Sequence, residues 1–262
     1  MSLLTCNGRI ASGADLAPAL VNYGHFSSLQ VRDGAVQGLA LHLQRLAHGT
    51  EALFGSTLDT AQVREWMAQA VQQAGMPCAS LRVTVFSSRF SFREPLVAVP
   101  VDVLVAVAPP VTLQAPARVR SVRWQREWPA LKHVGTFGLF AQRRAAMAAG
   151  FDDALLVDAQ GRLSEGTTWN LAVQRDGQLL WPQADALRGT TEALLQAGWP
   201  GPSRWQALAL DELGSVDAAF ACNASGIWPL AAIDGHVLAG SSALAGQARA
   251  VLAAVPWNPL QP

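Results

Sequence analysis

Hydrophobic and polar positions along this chain follow two periods, and the places where one gives way to the other mark its elements. In VNYGHFSSLQVRDGAV, from Val21 to Val36, two β-rich runs meet at Arg32-Asp33-Gly34. Asp-Gly supplies the left-handed conformations of a tight hairpin turn. The period then lengthens in GLALHLQRLAHGTEALFG, where Leu39, Leu41, Leu43, Leu46 and Leu53 fall mostly at helical spacings and Gly55 is the stop. A second helix is predicted over Thr57 to Ala74, with Asp59 or Thr60 as cap and Gly75 as stop. The runs SLRVTVF and VDVLVAVA, dense in β-branched residues, read as strands flanking the irregular SSRFSFREP.

The second half repeats this mixture. VRSVRWQREW predicts a strand, Phe137 to Ala149 a helix, Ala154 to Asp158 a strand, and Ala159-Gln160-Gly161 a turn. A strand over Asn170 to Val173, an Arg-Asp-Gly hairpin and a helix from about Thr190 to Gly198 follow. From Trp205 strands and turns alternate, and SALAGQARAVLAAV closes the chain as an amphipathic helix. The proline-dense APPVTLQAPAR is the predicted connection, giving two α+β domains, 1–110 and 111–262, and not a doubly wound sheet.

Composition narrows the function classes. Half of the 262 residues are hydrophobic and 15% are charged, as in a compact folded protein that buries a substantial core. Lys+Arg and Asp+Glu balance at 19 each without a basic run, which argues against nucleic acid or an anionic membrane as partner. Cys6, Cys78 and Cys222 are scattered, which fits a reducing cytoplasm and offers neither a disulfide framework nor a metal spacing. MSLLTCNGRI lacks the features of a signal peptide. The most apolar stretch, LVAVPVDVLVAVAPPV, is broken by Pro100, Asp102, Pro109 and Pro110, and reads as buried strand, not a membrane span. No GxGxxG, Walker loop, HExxH or GxSxG elbow occurs.

The candidate chemistry lies between Leu131 and Thr191. This stretch holds one lysine in a loop, Lys132; one glutamate, Glu165, before Gly166-Thr167-Thr168; and a second Gly-Thr-Thr opening a helix at Gly189. Those parts can hold a phosphorylated pyridine aldehyde by its carbon, its ring nitrogen and its phosphate. Lysine, loop and helix, then GFDDALLVD, a glycine turn and EGTTWN, in that order, resemble the class IV (fold type IV) pyridoxal-phosphate enzymes. That family includes branched-chain and D-amino-acid aminotransferases and aminodeoxychorismate lyases. The likeness runs from about Tyr23 to about Val237.

The resemblance implies a fold like that of the D-amino-acid aminotransferases, pyridoxal 5'-phosphate as cofactor, a homodimer, and a C-terminal domain that carries the cofactor lysine. Lys132 is then the catalytic residue, joined to the cofactor as an internal aldimine, and burial beside cations such as Arg45 would favour its neutral, nucleophilic form. Glu165 would keep the ring nitrogen protonated. Gly189 and Thr190 would bring backbone N–H groups to the phosphate, and Ser225, in Asn223-Ala224-Ser225, resembles a second phosphate loop. The His42-x-x-Arg45-Leu46 pattern implies a phosphate-gripping Arg45, whose planar fork suits two phosphate oxygens, while His42 reads as packing. Ser28 and Arg89, with Arg93 nearby, are candidates for the substrate.

Departures from the family pattern leave the reaction open. Phe137 stands where many of the transaminases carry a tyrosine five residues after the lysine, and Lys132-His133 without it is similar to the lyases. Gln30 replaces a common arginine, and the loop from Ser87 to Glu94 lacks the usual glycines. The leading expectation is an aminotransferase acting on a small amino acid and keto acid. The alternatives are a 4-amino-4-deoxychorismate lyase releasing 4-aminobenzoate and pyruvate, and a homologue that binds cofactor without turnover.

Overall fold

A computed structural model describes residues 2–111 and 117–261; the centre of the predicted connection, residues 112–116, lies outside them. The first elements are β1 (Leu3–Cys6), β2 (Arg9–Ile10), α1 (Gly13–Ala19), β3 (His25–Arg32), β4 (Ala35–Gln37), α2 (Leu39–Phe54), α3 (Thr60–Ala74), β5 (Cys78–Phe86) and β6 (Asp102–Ala108). Then come β7 (Ala117–Arg123), α4 (Phe137–Ala148), β8 (Asp153–Val157), β9 (Leu163–Gly166), β10 (Asn170–Arg175) and β11 (Gln178–Pro182). The chain ends with α5 (Thr190–Gly198), β12 (Ser203–Gln206), a 3-10 turn (Leu210–Ser215), β13 (Ala218–Asn223), β14 (Gly226–Ile233), β15 (His236–Val237), α6 (Ser241–Ala253) and β16 (Trp257–Pro259).

Contacts divide these elements into two units. The first comprises residues 2–111, 131–135 and 256–261, and the second residues 117–130 and 136–255. Residues 131–135, expected in the C-terminal domain, group with the first unit. The reason is backbone pairing: the Phe26 N–H donates to the Lys132 carbonyl at 2.9 Å and the Val134 N–H to the Gly24 carbonyl at 3.0 Å.

The first unit is an antiparallel sheet in the order β16-β4-β3-β5-β6-β1-β2. Its β3–β4 hairpin turns at Asp33 and Gly34, with φ of 49° and 72°, the left-handed pair that a two-residue hairpin requires. Because successive side chains point to opposite faces, Leu29 and Val31, Leu81 and Val83, and Val105 and Val107 form one buried face. They pack with Leu46 and Phe54 of α2 and Val63 and Met67 of α3. Ser28 and Gln30 of β3 and Ser80, Arg82 and Thr84 of β5 therefore occupy the other face. The amphipathic helices thus leave this second, polar face uncovered by their core.

The second unit is a sheet in the order β12-β11-β10-β13-β14-β7-β8-β9, and a further β9–β10 pairing, Glu165 opposite Asn170, closes six of its strands into a ring. Within the ring closure leaves no free edge, while β12, paired only with β11, stays at the margin. One core, with Val119, Leu155, Leu163, Trp169, Leu171 and Leu230, belongs to this ring. A second cluster joins Trp181 and Phe220 to Leu195 of α5 and Leu244 of α6. The strands β7 and β8 are parallel, so the chain needs a crossover between them, and α4 supplies it.

The chain end is tied into the first unit by Leu260, 1% exposed in its core. Arg64 of α3 donates to the carbonyls of Leu260 at 2.8 Å, Pro259 at 3.0 Å and Gln261 at 3.1 Å. Truncating Leu260 to alanine leaves a cavity in a packed interior, at a cost of about 2–5 kcal/mol. Urea unfolding of Leu260→Ala is expected to show a correspondingly lower midpoint than the wild type.

Candidate active site

The first unit fixes Lys132 through its backbone. The rungs to Phe26 and Gly24 and the bridge between His133 and His25 make residues 132–134 a short added strand beside the start of β3. Lys132 Nζ lies 4.9 Å from the centre of the Phe26 ring, and the Arg82 guanidinium 3.5 Å from the same centre. Both cations are drawn to the negative face of the aromatic ring. Ser28 sits directly opposite Arg82 in the β3–β5 register.

Behind this group is His42, 3% exposed, with Nδ1 2.8 Å from Ser27 Oγ. Burial, reinforced by the positive charges of Arg45 and Lys132, pushes its pKa down to about 3. His42 is therefore neutral at ordinary pH and adds no further cation beside them, in keeping with a packing role. His25 is likewise pushed down to about 4, mainly by burial. The first unit thus brings Lys132, Arg45, Ser28 and Arg82 into one neighbourhood. Arg89 is exposed, and its backbone N–H donates to Ser87 Oγ at 3.1 Å.

The second unit assembles the other sequence-derived residues. Glu165, 2% exposed at the end of β9, accepts on Oε1 from Arg126 Nε at 2.9 Å and from the Leu187 N–H at 3.2 Å. The turn after it is held by Asp153, the second aspartate of GFDDALLVD, which accepts from Thr167 Oγ1 at 2.7 Å and Trp169 Nε1 at 3.1 Å. A Cβ on Gly166 would fall 1.8 Å from the Trp169 ring, so glycine is required there. The motifs GFDDALLVD and EGTTWN belong together because their side chains bind one another.

Asn170 Nδ2 donates to the Leu187 carbonyl at 2.7 Å. A Cβ on Gly189 would lie 2.1 Å from Asn170 Oδ1, so only glycine lets the chain enter α5 this close to β10. At that helix start Thr191 Oγ1 donates to the Asn223 carbonyl at 2.8 Å, and Asn223 Nδ2 to the Thr168 carbonyl at 3.1 Å. The Ser225 N–H donates to Asn223 Oδ1 at 2.8 Å. Thr168, Thr190, Thr191 and the loop of Ser225 therefore surround the first turn of α5, where backbone N–H groups lack intrahelical acceptors and favour an anion.

A buried carboxylate with one oxygen already bound, and a glycine-lined helix start ringed by hydroxyls, fit the ring nitrogen and phosphate of a phosphorylated pyridine. Sequence reasoning missed two residues, Arg82 in the first unit and Arg126 in the second. Arg82 was readable from the alternation in SLRVTVF, which sets it on the face opposite Leu81 and Val83. Arg126 carried no such signal, since it lies beyond the end of β7 in an irregular segment. One cheaper signal was also available: Lys132 is the only lysine among the 262 residues.

The family model for class IV amino-transferases matches residues 24–233. A probable branched-chain-amino-acid aminotransferase of Synechocystis sp. is 31% identical over 119 residues; the match covers 43% of this chain and spans only 39% of that relative's length. Among solved structures, the T.th. branched-chain amino acid aminotransferase complexed with N-(5'-phosphopyridoxyl)-L-glutamate has a TM-score of 0.84 at 20% identity, with 96% of this chain and 92% of that chain covered. A fold IV-transaminase from Curtobacterium pusillum has a TM-score of 0.82 at 22% identity, covering 98% and 100% of the two chains. The structural likeness establishes the fold, the mixed α and β fold of these transaminases.

A second carboxyl in this region reports on its environment. Glu192, 2% exposed in the first turn of α5, accepts from the Gly189 N–H at 3.0 Å and from Arg188 at 3.3 Å. Burial raises its pKa from 4.5 to about 7; Arg188 opposes this and Glu165 adds to it. A folded-state pKa above the unfolded value means that the folded chain holds the extra proton, so this group's contribution to stability falls as pH rises from about 4.5 to about 7. Glu192→Gln removes that loss. In urea unfolding at pH 3.5 the variant and wild type are expected to coincide, and at pH 8 the variant is expected to be more stable by roughly 3 kcal/mol.

Proposed function

The chain belongs to the class IV aminotransferase family, and from that premise we propose that it is a pyridoxal-5'-phosphate-dependent aminotransferase acting on a small amino acid and its keto acid, with Lys132 holding the cofactor. One observation carries the assignment of the lysine. Imine chemistry on a side chain needs an ε-amine, the chain has one, and that amine is locked by backbone rungs beside a conjugated ring and two further cations. Branched-chain amino acids are the first substrates to try, since the Synechocystis and T.th. relatives are named for them.

Pyridoxal phosphate, when bound, supplies the electron sink that lets a bond at an amino acid's α-carbon break. The remaining work falls to the chain. Lys132 Nζ would hold the cofactor by its aldehyde carbon and would move the substrate's α-proton as a general base. Glu165 Oε2 would accept from the ring N–H. The Thr190 backbone N–H and the Ser225 hydroxyl would hold the phosphate, with Gly189 leaving room for it to approach, and the family likeness gives Arg45 the same anion. The substrate carboxylate we give to Arg82, which Ser28 faces in the β3–β5 register, a role that sequence reasoning gave to Arg89.

A lyase reading is kept because Phe137, at the head of α4, offers no hydroxyl to the cofactor and is 86% exposed. The family likeness also carries the proposal of a homodimer. Among the described residues no helix is long and apolar enough to cross a membrane, and the three cysteines are free. A reducing cytoplasm is the compartment we propose on the scattered cysteines.

The test is direct. Protein incubated with pyridoxal phosphate should gain a visible absorption band, and borohydride should fix the cofactor's mass on the peptide holding Lys132. Lys132→Ala should lose both, along with transfer of amino groups from branched-chain or other small L- or D-amino acids to 2-oxoglutarate or pyruvate; removal of the only suitable amine is expected to lower the rate roughly 1,000-fold or more (about 4 kcal/mol). Turnover of aminodeoxychorismate alone would replace the transaminase reading by the lyase one. A fixed adduct without any turnover would leave a cofactor-binding homologue.

A further inference from the structure

Among the described residues Arg126 is the only arginine that is buried, and its side chain is 4% exposed beside the 3% of Glu165. Taking an ion pair out of water costs desolvation that its attraction does not reliably offset, and an apolar pair of similar volume is often as stable. A stability role alone therefore explains this pair poorly. Its geometry is more specific. Arg126 Nε and the Leu187 N–H both donate to Oε1, and no hydrogen bond to Oε2 occurs among the described residues.

Resting on the reading of Glu165 as the ring-nitrogen partner, we propose that Arg126 is a positioning residue. By binding Oε1 it fixes the orientation of the Glu165 carboxylate and turns Oε2 toward the N–H of a protonated pyridine ring. Arg126 touches neither cofactor nor substrate; it acts through Glu165. The guanidinium's fixed charge suits the task, since it does not deprotonate in the working pH range.

The experiment compares wild type with Arg126→Lys, Arg126→Gln, Arg126→Met, Glu165→Gln and the double variant Arg126→Met/Glu165→Gln. The readouts are the Kd for pyridoxal phosphate, from absorption titration of the cofactor-stripped protein, and the resonance of the ring nitrogen in 15N-labelled cofactor, which separates protonated from unprotonated pyridine. Arg126→Met is expected to weaken cofactor binding at least tenfold and to move the resonance toward the unprotonated position. Arg126→Lys should restore much of both, and the double variant should be no worse than Glu165→Gln alone.

An unshifted nitrogen resonance in the Arg126 variants, whatever their stability, would overturn the proposal. Should Arg126→Met not fold, Arg126→Gln, which keeps a donor but not the charge, decides it by the same resonance. If the wild type forms no borohydride-fixed adduct at Lys132, it is the underlying cofactor reading that fails, and that result is distinct from the others.

Discussion

The rung between Glu165 and Asn170 is the contact on which the second unit's arrangement depends. It closes the strand ring, and the same two residues reach past the sheet to the chain leading into α5. Asn170 binds the Leu187 carbonyl while the Leu187 N–H binds Glu165, so residue 187 is held from both of its backbone polar groups. Gly189 then passes so near Asn170 that no side chain fits. Barrel closure, the buried carboxylate and the anion-favouring helix start are therefore one construction. A change at any of them would be felt at the other two, because buried polar groups left without partners cost about 1–3 kcal/mol each.

The first unit solves a different problem, that of keeping several cations near one another. Phe26 offers its ring to Arg82 and Lys132, and His42 stays neutral in its buried place beside Ser27. Two unit charges about 4 Å apart repel by roughly 4 kcal/mol at an intermediate dielectric, so an additional charge on His42 would be opposed by its neighbours as well as by burial. The imidazole can then serve α2 as a packing and hydrogen-bonding group, one turn from Arg45.

Much of the fold was legible because its signals are local. The turns at Asp33-Gly34 and Asp176-Gly177, both with positive φ, and the helices ending at Gly55 and Gly75 follow from single dipeptides and periodicities. The order of motifs around Lys132 and Glu165 was legible for a related reason, since Asp153 and the turn after Glu165 bind each other and so must occur together. What escaped depends on pairing between distant residues. Nothing within LKHVG marks it as an added strand beside β3, and nothing within VRWQREW marks Arg126 as the partner of a glutamate 39 positions on. The Glu165 motif read as a turn, but its first residue is a strand end, because β9 is short and acquires partners only when the ring closes. Arg89 is a different case: a charged loop residue gives no local signal of where its side chain goes, and here it is exposed.

The alternation in β3 and β5 bears on where selectivity can change. Leu29, Val31, Leu81 and Val83 are committed to the core under α2 and α3, so substitutions there disturb packing before they disturb chemistry. Ser28, Gln30, Ser80, Arg82 and Thr84 stand on the other face and carry no such burden; Gln30 and Ser80 already hold each other at 2.8 Å. A sheet whose two faces are so divided can exchange one set of polar residues for another while its core stays fixed. Gln30, which stands where the lyase pattern commonly has an arginine, lies on this face, so that exchange leaves untouched the core of the strands beside Lys132.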